Sequence, residues 1–121
     1  MSKSDILISD FYQKQKDFKY LQSINLHRNF DSDGVNCYNL DVTLCMNPSN
    51  NENETLLLNF VEVVEFRSGN FDFGLGCSIF LQITDISDHQ MEGINYRVKE
   101  DENELIAFSC RTFEFEILKK P

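Results

Sequence analysis

The sequence lacks any long hydrophobic run, and no stretch approaches the roughly 20 apolar residues that a membrane-spanning helix needs. It also lacks the pattern of a secretory signal, because Asp5 and Asp10 interrupt the apolar residues of the N-terminus and no small-residue cleavage site follows. These absences argue against a membrane-spanning or exported protein. They predict a cytoplasmic one.

Basic residues are few, since 11 Lys and Arg stand against 20 Asp and Glu, which gives a net charge of -9 and a pI near 4.5. A field of that sign repels phosphate backbones and anionic lipid, so nucleic acid and membrane surfaces are disfavoured as partners. A basic protein partner is the better prediction. The alternative is that the charge only keeps a small protein soluble.

Residues that commonly carry catalysis or bind metals are also sparse. The only histidines are His27, within a predicted strand, and His89, which follows Asp85 and Asp88. Those two carboxylates can orient an imidazole or bind a cation, but their spacing matches no known ligand pattern. No phosphate-binding glycine motif and no recognisable nucleophile motif is present. An enzyme centred on Asp85, Asp88 and His89 is therefore a weaker hypothesis than a protein without a catalytic site.

The four cysteines are dispersed, and none is paired in a C-x-x-C spacing, as expected for a reducing compartment. Each lies in or beside a strand-like segment, so small buried hydrophobic residues are predicted, with metal ligands or reactive thiols as the alternatives. These cysteines are Cys37, Cys45, Cys77 and Cys110.

What the sequence does contain is a strong β pattern, with 11 Phe that fall mostly inside strand-like runs. Residues 54–67 have apolar side chains on both faces, which predicts the central strand of a sheet. The apolar phase slips by one residue between Phe60 and Val61, as a β-bulge would produce. A second slip in the predicted strand 105–118 indicates another bulge near Cys110 and Arg111.

The remaining segments predict one mainly β domain over residues 1–121. A short N-terminal helix over residues 9–19, capped by Ser9, or an irregular arm, precedes strands at 21–30, 37–46, 79–86 and 94–98. An Asp33-Gly34 turn joins the first two strands, and the glycine-rich residues 67–77 form either a curved edge strand or a loop. The expected architecture is an antiparallel meander sheet, curled or in two layers.

Acidic residues cluster in the predicted connections between strands. If alternate turns lie at one end of a meander, some of these carboxylates form an acidic patch that steers and binds a basic protein. The alternative is that turns are acidic because they are solvated. Glu114 and Glu116, on the wet face of the last strand, are expected to be only solvated. The predicted partner-binding residues are Asp31, Asp33, Asp85, Asp88, Glu100, Asp101, Glu102 and Glu104.

Two segments carry a resemblance to a known class of proteins: LLLNFVEVVEF at residues 56–66 and LIAFSCRTFEFEI at residues 105–117. The sequence resembles small bacterial immunity proteins of polymorphic toxin systems, in particular the immunity protein 50 group. The matching positions are Phe60 in the first segment and Phe108 with Cys110 in the second. The resemblance implies stoichiometric neutralisation of a cognate toxin, with no catalysis and no cofactor.

A second functional hypothesis is a small-molecule-binding β-domain, with a pocket between the sheet and the N-terminal arm lined by Phe71, Phe73 and Phe80. An interaction domain of another kind is a further alternative. The pattern is compatible with a monomer or a homodimer, since it does not indicate which sheet edge is free to pair.

Overall fold

A computed structural model gives the structure of the chain and describes residues 3–28, 38–46, 54–69, 79–89, 93–100 and 105–118. These residues form a helix, a short 3-10 turn at Ser87–His89 and seven strands. The elements are α1 (Lys3–Gln15), β1 (Tyr20–Arg28), β2 (Tyr38–Cys45), β3 (Thr55–Ser68), β4 (Leu81–Asp85), β5 (Tyr96–Glu100), β6 (Ile106–Cys110) and β7 (Thr112–Leu118). The predicted Asp33-Gly34 turn, and residues 70–77 of the glycine-rich segment, lie outside the described residues.

The sheet is antiparallel throughout and is organised around β3, which confirms the predicted central strand. The first half of β3 lies between β2 and β7, and β1 pairs with the far side of β2; we call these four strands sheet A. The second half of β3 pairs with β6, which is followed by β5 and β4; we call this group sheet B. Each group contains a three-strand meander, and β3 belongs to both.

Two bulges bend β3 where it passes from sheet A to sheet B. Relative to β2, β3 has one extra residue between Phe60 and Val63, and relative to β6 it has one between Val64 and Arg67. Glu62 and Glu65 both have a φ of 55°, in the left-handed region that side chains disfavour. The bulge predicted after Phe60 is therefore confirmed, and a second bulge follows it.

The prediction of one continuous strand over residues 105–118 is wrong, because the bulge expected near Cys110 and Arg111 is instead a break between two strands. β6 ends at Cys110 and β7 begins at Thr112, and the Arg111 N–H between them donates to the Val61 carbonyl at 3.0 Å. The reason is the bend of β3. β6 pairs with the second half of β3 and β7 with the first half, so the chain has to change direction between them, opposite the bend.

The apolar faces of both sheets share one core. Alternate residues of β2 (Leu40, Val42 and Leu44) are fully buried, as the alternation predicted. Across the core, the rings of Phe60 and Phe108 meet edge to face with centroids 4.9 Å apart. Since Phe60 belongs to sheet A and Phe108 to sheet B, this contact joins the two groups of strands.

The helix begins six residues before the predicted start and ends at Gln15. Ser9 and Asp10, expected at its N-terminus, are exposed residues in its interior. The reason is the apolar spacing, because Leu7 and Phe11 recur at i and i+4 and pack against the core. Among the described residues, no helix has the length and apolar character that crossing a bilayer requires.

The helix covers the edge of sheet B. Two of its side chains make the hydrogen bonds to β4 that a neighbouring strand would otherwise make. Gln15 is 1% exposed, and its amide donates to the Leu81 carbonyl at 3.0 Å and accepts the Leu81 N–H at 2.7 Å. The Tyr12 hydroxyl does the same for Ile83, at 3.1 and 2.9 Å. These four hydrogen bonds satisfy peptide groups of β4 that would otherwise be open to another chain.

Candidate partner-binding surface

The outer face of sheet A is mainly polar because its strands turn most of their apolar side chains to the core. Cross-strand register places Asn25, Asp41, Asn59 and Glu114 side by side on β1, β2, β3 and β7. Glu116 follows Glu114 on the same side of β7. We call the surface around Asp41, Glu114 and Glu116, together with the adjoining Glu62, the acidic face.

Asp41 is held in place at the centre of the acidic face. His27 Nε2 lies 3.0 Å from Asp41 Oδ2, and the Asn59 side-chain amide donates to Oδ1. The Asp41 side chain keeps 32% exposure. Its carboxylate is therefore both ordered and accessible, so that a partner group would lose little of its binding energy to ordering it.

The balance of charge on this face is negative. Glu114 and Glu116 are exposed and, with Leu57, Asn59 and Phe115, line a shallow depression of about 160 Å³. Arg111, between β6 and β7, lies beside this face, and its Nη1 is 3.2 Å from Glu62 Oε1.

The bulge that carries Glu62 is itself fixed to sheet A. The Glu62 backbone N–H donates to Asn39 Oδ1 at 3.2 Å, and Asn39 lies on β2. Glu62 is therefore held at two points: Asn39 binds its backbone N–H, and Arg111 binds its carboxylate.

Most of the partner-binding residues predicted from the sequence lie outside the described residues. These are Asp31, Asp33, Asp101, Glu102 and Glu104. Of the other three, Asp85 accepts the Ser87 N–H at 2.9 Å and the Ser87 hydroxyl at 2.6 Å, which orders the 3-10 turn. Asp88 is exposed in that turn, and Glu100 is only 4% exposed.

The structure does not bring these three carboxylates together. Glu100 is opposite Leu81 at the start of β4, whereas Asp85 ends that strand. Four steps of about 3.4 Å put roughly 14 Å between the two ends of β4. Glu100 also accepts the Leu105 N–H at 3.4 Å.

The acidic face was missed by the sequence reasoning, which treated Glu114 and Glu116 as solvated strand residues. The available signal was the alternation of residues 112–118, which puts both carboxylates on one side of a strand. What the sequence did not show is the register that sets Glu114 beside Asn59, and Asn59 beside Asp41.

Two of the cysteines can be placed, and both are buried and free, as predicted. Burial raises the pKa of the Cys110 thiol to about 12 and also raises the pKa of Cys45. Both shifts disfavour the thiolate, which is the nucleophilic form of cysteine. Cys37 and Cys77 lie outside the described residues. Within the described part of the chain, no three His, Cys, Asp or Glu side chains gather into a possible metal site.

Phe80, expected in a ligand pocket between sheet and helix, does border a hollow there. The hollow measures about 420 Å³, is open to solvent and is lined by Gln15, Lys16, Lys19, Ile79 and Phe80. Phe71 and Phe73 lie outside the described residues. Lys16 and Lys19 make the wall of this hollow partly charged, whereas small-molecule pockets are typically lined by apolar side chains.

Comparison with known proteins gives one family-level match. The family model described as Immunity protein PIM8 matches residues 4–116. No curated protein and no solved structure matches the chain.

Proposed function

Because the chain belongs to the immunity protein PIM8 family, whose model covers nearly all of it, we propose that it neutralises a cognate toxin by binding it directly through the acidic face. The observation that carries this proposal is the set of carboxylates on sheet A, with Asp41 ordered by His27 and Asn59. Neutralisation of this kind is stoichiometric and needs no catalytic group or cofactor.

The charge of the acidic face defines the kind of toxin that fits it. A surface with Asp41, Glu114 and Glu116, on a chain of net charge -9, attracts a basic surface and repels an acidic one. Toxins that degrade nucleic acid need basic surfaces to hold phosphate backbones. We infer that the toxin has a basic active surface and that this protein, working in the same cytoplasm, occludes it.

The binding mode sets how the complex depends on salt. Exposed ion pairs contribute only about 0.2–1 kcal/mol each, so the carboxylates act mainly by accelerating encounter. Shape and apolar contacts supply most of the remaining affinity. The association rate should fall steeply as salt rises, while the dissociation rate changes less.

The test mixes the purified protein with a catalytically inactivated form of the product of the adjacent gene. Replacing Glu114→Lys and Glu116→Lys together changes the charge of the acidic face by four units. We expect the association rate at about 0.1 M salt, where screening extends about 10 Å, to fall at least about tenfold.

The matched control carries the same change of charge on the helix and on the turn that follows it. Asp10→Lys with Asp17→Lys alters two exposed carboxylates outside sheet A, and we expect about a twofold effect. Equal losses in both variants would mean that only net charge matters. Absence of any complex of the wild-type protein at low salt would remove the proposed function.

The turn carboxylates predicted from the sequence supply a second contact surface in this proposal. Asp88 is exposed and adjoins Asp85, whose side chain orders the turn. Asp88→Asn removes one charge without touching the Ser87 hydrogen bonds. A slower association than that of wild type would place this turn in the interface.

A further inference from the structure

Among the described residues the outer strands are β1, β4 and β7, and the edges of β1 and β4 differ in what covers them. The edge of β4 is closed by Gln15 and Tyr12 of the helix, whereas among the described residues β1 pairs as a strand with β2 alone. Natural edge strands are usually blunted by charges, proline or bulges. Residues 20–26 of β1 contain no charge and no proline, and their register is irregular only between Leu21 and Ser23.

The regular part of β1 is long enough to accept another strand. Residues 23–28 pair with β2 without interruption, which gives an edge of roughly 20 Å at about 3.4 Å per residue. β7, by comparison, carries Glu114 and Glu116 on alternate positions, and charges of this kind discourage pairing.

An apolar groove lies against the core side of the same strand. Ile24 and Leu26 are opposite Val42 and Leu40 and so point to the core, yet Leu26 remains 42% exposed. The groove holds about 490 Å³, and its apolar walls are Leu21, Ile24, Leu26, Phe66 and Ile106. β1 thus offers peptide groups along its edge and an apolar channel beside it.

We propose that β1 binds an extended segment of the cognate toxin as an additional strand of sheet A, an inference that rests on the function proposed above. Alternate side chains of that segment fill the groove beside Ile24 and Leu26 and are apolar. The others lie on the outer side, beside Asn25 and His27 and about 10 Å from Asp41, within the negative field of the acidic face. The segment that fits is therefore a strand of alternating apolar and basic residues.

Charge favours this occupant over a second copy of the chain. Two copies joined through β1 would bring together two molecules of net charge -9, and Arg28 is the one Lys or Arg that the paired strand β1 would offer. A basic toxin strand instead extends the proposed interface without a break, because β1 and the acidic face belong to the same sheet.

The test uses a substitution that distinguishes the apolar contact in the groove from the electrostatic attraction between the two proteins. Leu26→Glu adds a negative charge, which strengthens attraction to a basic toxin, but it places a carboxylate in the groove. We expect the dissociation constant for the inactivated adjacent-gene product to rise about ten- to a hundredfold. Ile6→Glu makes the same change of charge at another exposed apolar residue, 56% exposed on the helix, and should bind like wild type.

Hydrogen exchange of the wild-type complex provides the second measurement. When the toxin binds, strand addition protects the alternate amides of residues 23–28 whose N–H groups point away from β2, since the remaining N–H groups already face β2. If Leu26→Glu and Ile6→Glu bind alike and those amides remain unprotected, strand addition is overturned. In that case, loss of binding in the Glu114→Lys, Glu116→Lys variant would still support the proposed function. A dimer of the chain alone that Leu26→Glu dissociates would assign β1 to a second copy and overturn the proposal.

Discussion

Replacing Gln15 by leucine tests whether the helix closes the edge of sheet B. The change keeps the volume of the side chain and a good helix former but removes both hydrogen bonds to Leu81. A buried donor and a buried acceptor are then left without partners, at about 1–3 kcal/mol each. Burial of the leucine offsets about 1 kcal/mol of that loss. We expect the free energy of unfolding to fall by about 3 kcal/mol.

That loss is measurable without abolishing the fold, because a domain of this size has about 5–15 kcal/mol of stability. With a urea dependence of about 2 kcal/mol per molar, the midpoint falls by about 1.5 M. The melting temperature falls by about 12 °C, since unfolding 121 residues carries about 0.25 kcal/mol per kelvin of entropy.

The matched control is Gln13→Leu, the same substitution at an exposed position of the same helix, where a change within about 0.5 kcal/mol is expected. Urea unfolding followed by circular dichroism compares the two variants. If Gln15→Leu and Gln13→Leu unfold at the same midpoint, the Gln15 amide contributes nothing to the edge and the reasoning is refuted.

Three further predictions concern the bulge, a buried thiol and the core. Glu65→Gly should raise the free energy of unfolding by about 1 kcal/mol because glycine tolerates the φ of 55°; a lower urea midpoint would contradict this. The pKa of Cys110 is raised from 9.0 to about 12, so the folded state keeps its proton where the unfolded state loses it. Stability should therefore decline by about 1.4 kcal/mol per pH unit above pH 9, and a Cys110→Ala variant with an equal slope would refute this assignment. Phe60→Ala should cost about 3–5 kcal/mol and Phe80→Ala, at 39% exposure, under about 1 kcal/mol; similar thermal shifts for both would argue against the described core.

The parts of the fold that depend on local pattern could be predicted from the sequence. Alternation identified β2, two-sided apolarity identified β3 as central, and a slip in parity located the bulge after Phe60. The second slip marked the position of Arg111 as well, but a break between two strands, rather than a bulge in one strand, could not be predicted because it depends on which half of β3 each strand pairs with. The helix start was misplaced because Ser9 looked like a cap, whereas packing of Leu7 on the core decides where the helix lies.

The sequence was sufficient to predict the class of protein but not the residues of its binding surface. The resemblance pointed to an immunity protein, and the match to the PIM8 family confirms that level; membership of the immunity protein 50 group stays a prediction. The site is harder because a binding surface is assembled across strands. Glu114 and Asp41 are distant in sequence and become neighbours only through the register of β3 with β2 and β7.

The shared strand also restricts how this polypeptide can be divided. Residues 55–68 contribute peptide groups to both sheets, so a cut inside this stretch would leave neither piece with a complete scaffold. Complementing fragments, or a rearranged order of termini, should therefore retain those residues as one unbroken length. Swapping modules between relatives faces the same restriction, because one sheet cannot be exchanged while the other keeps its original backbone.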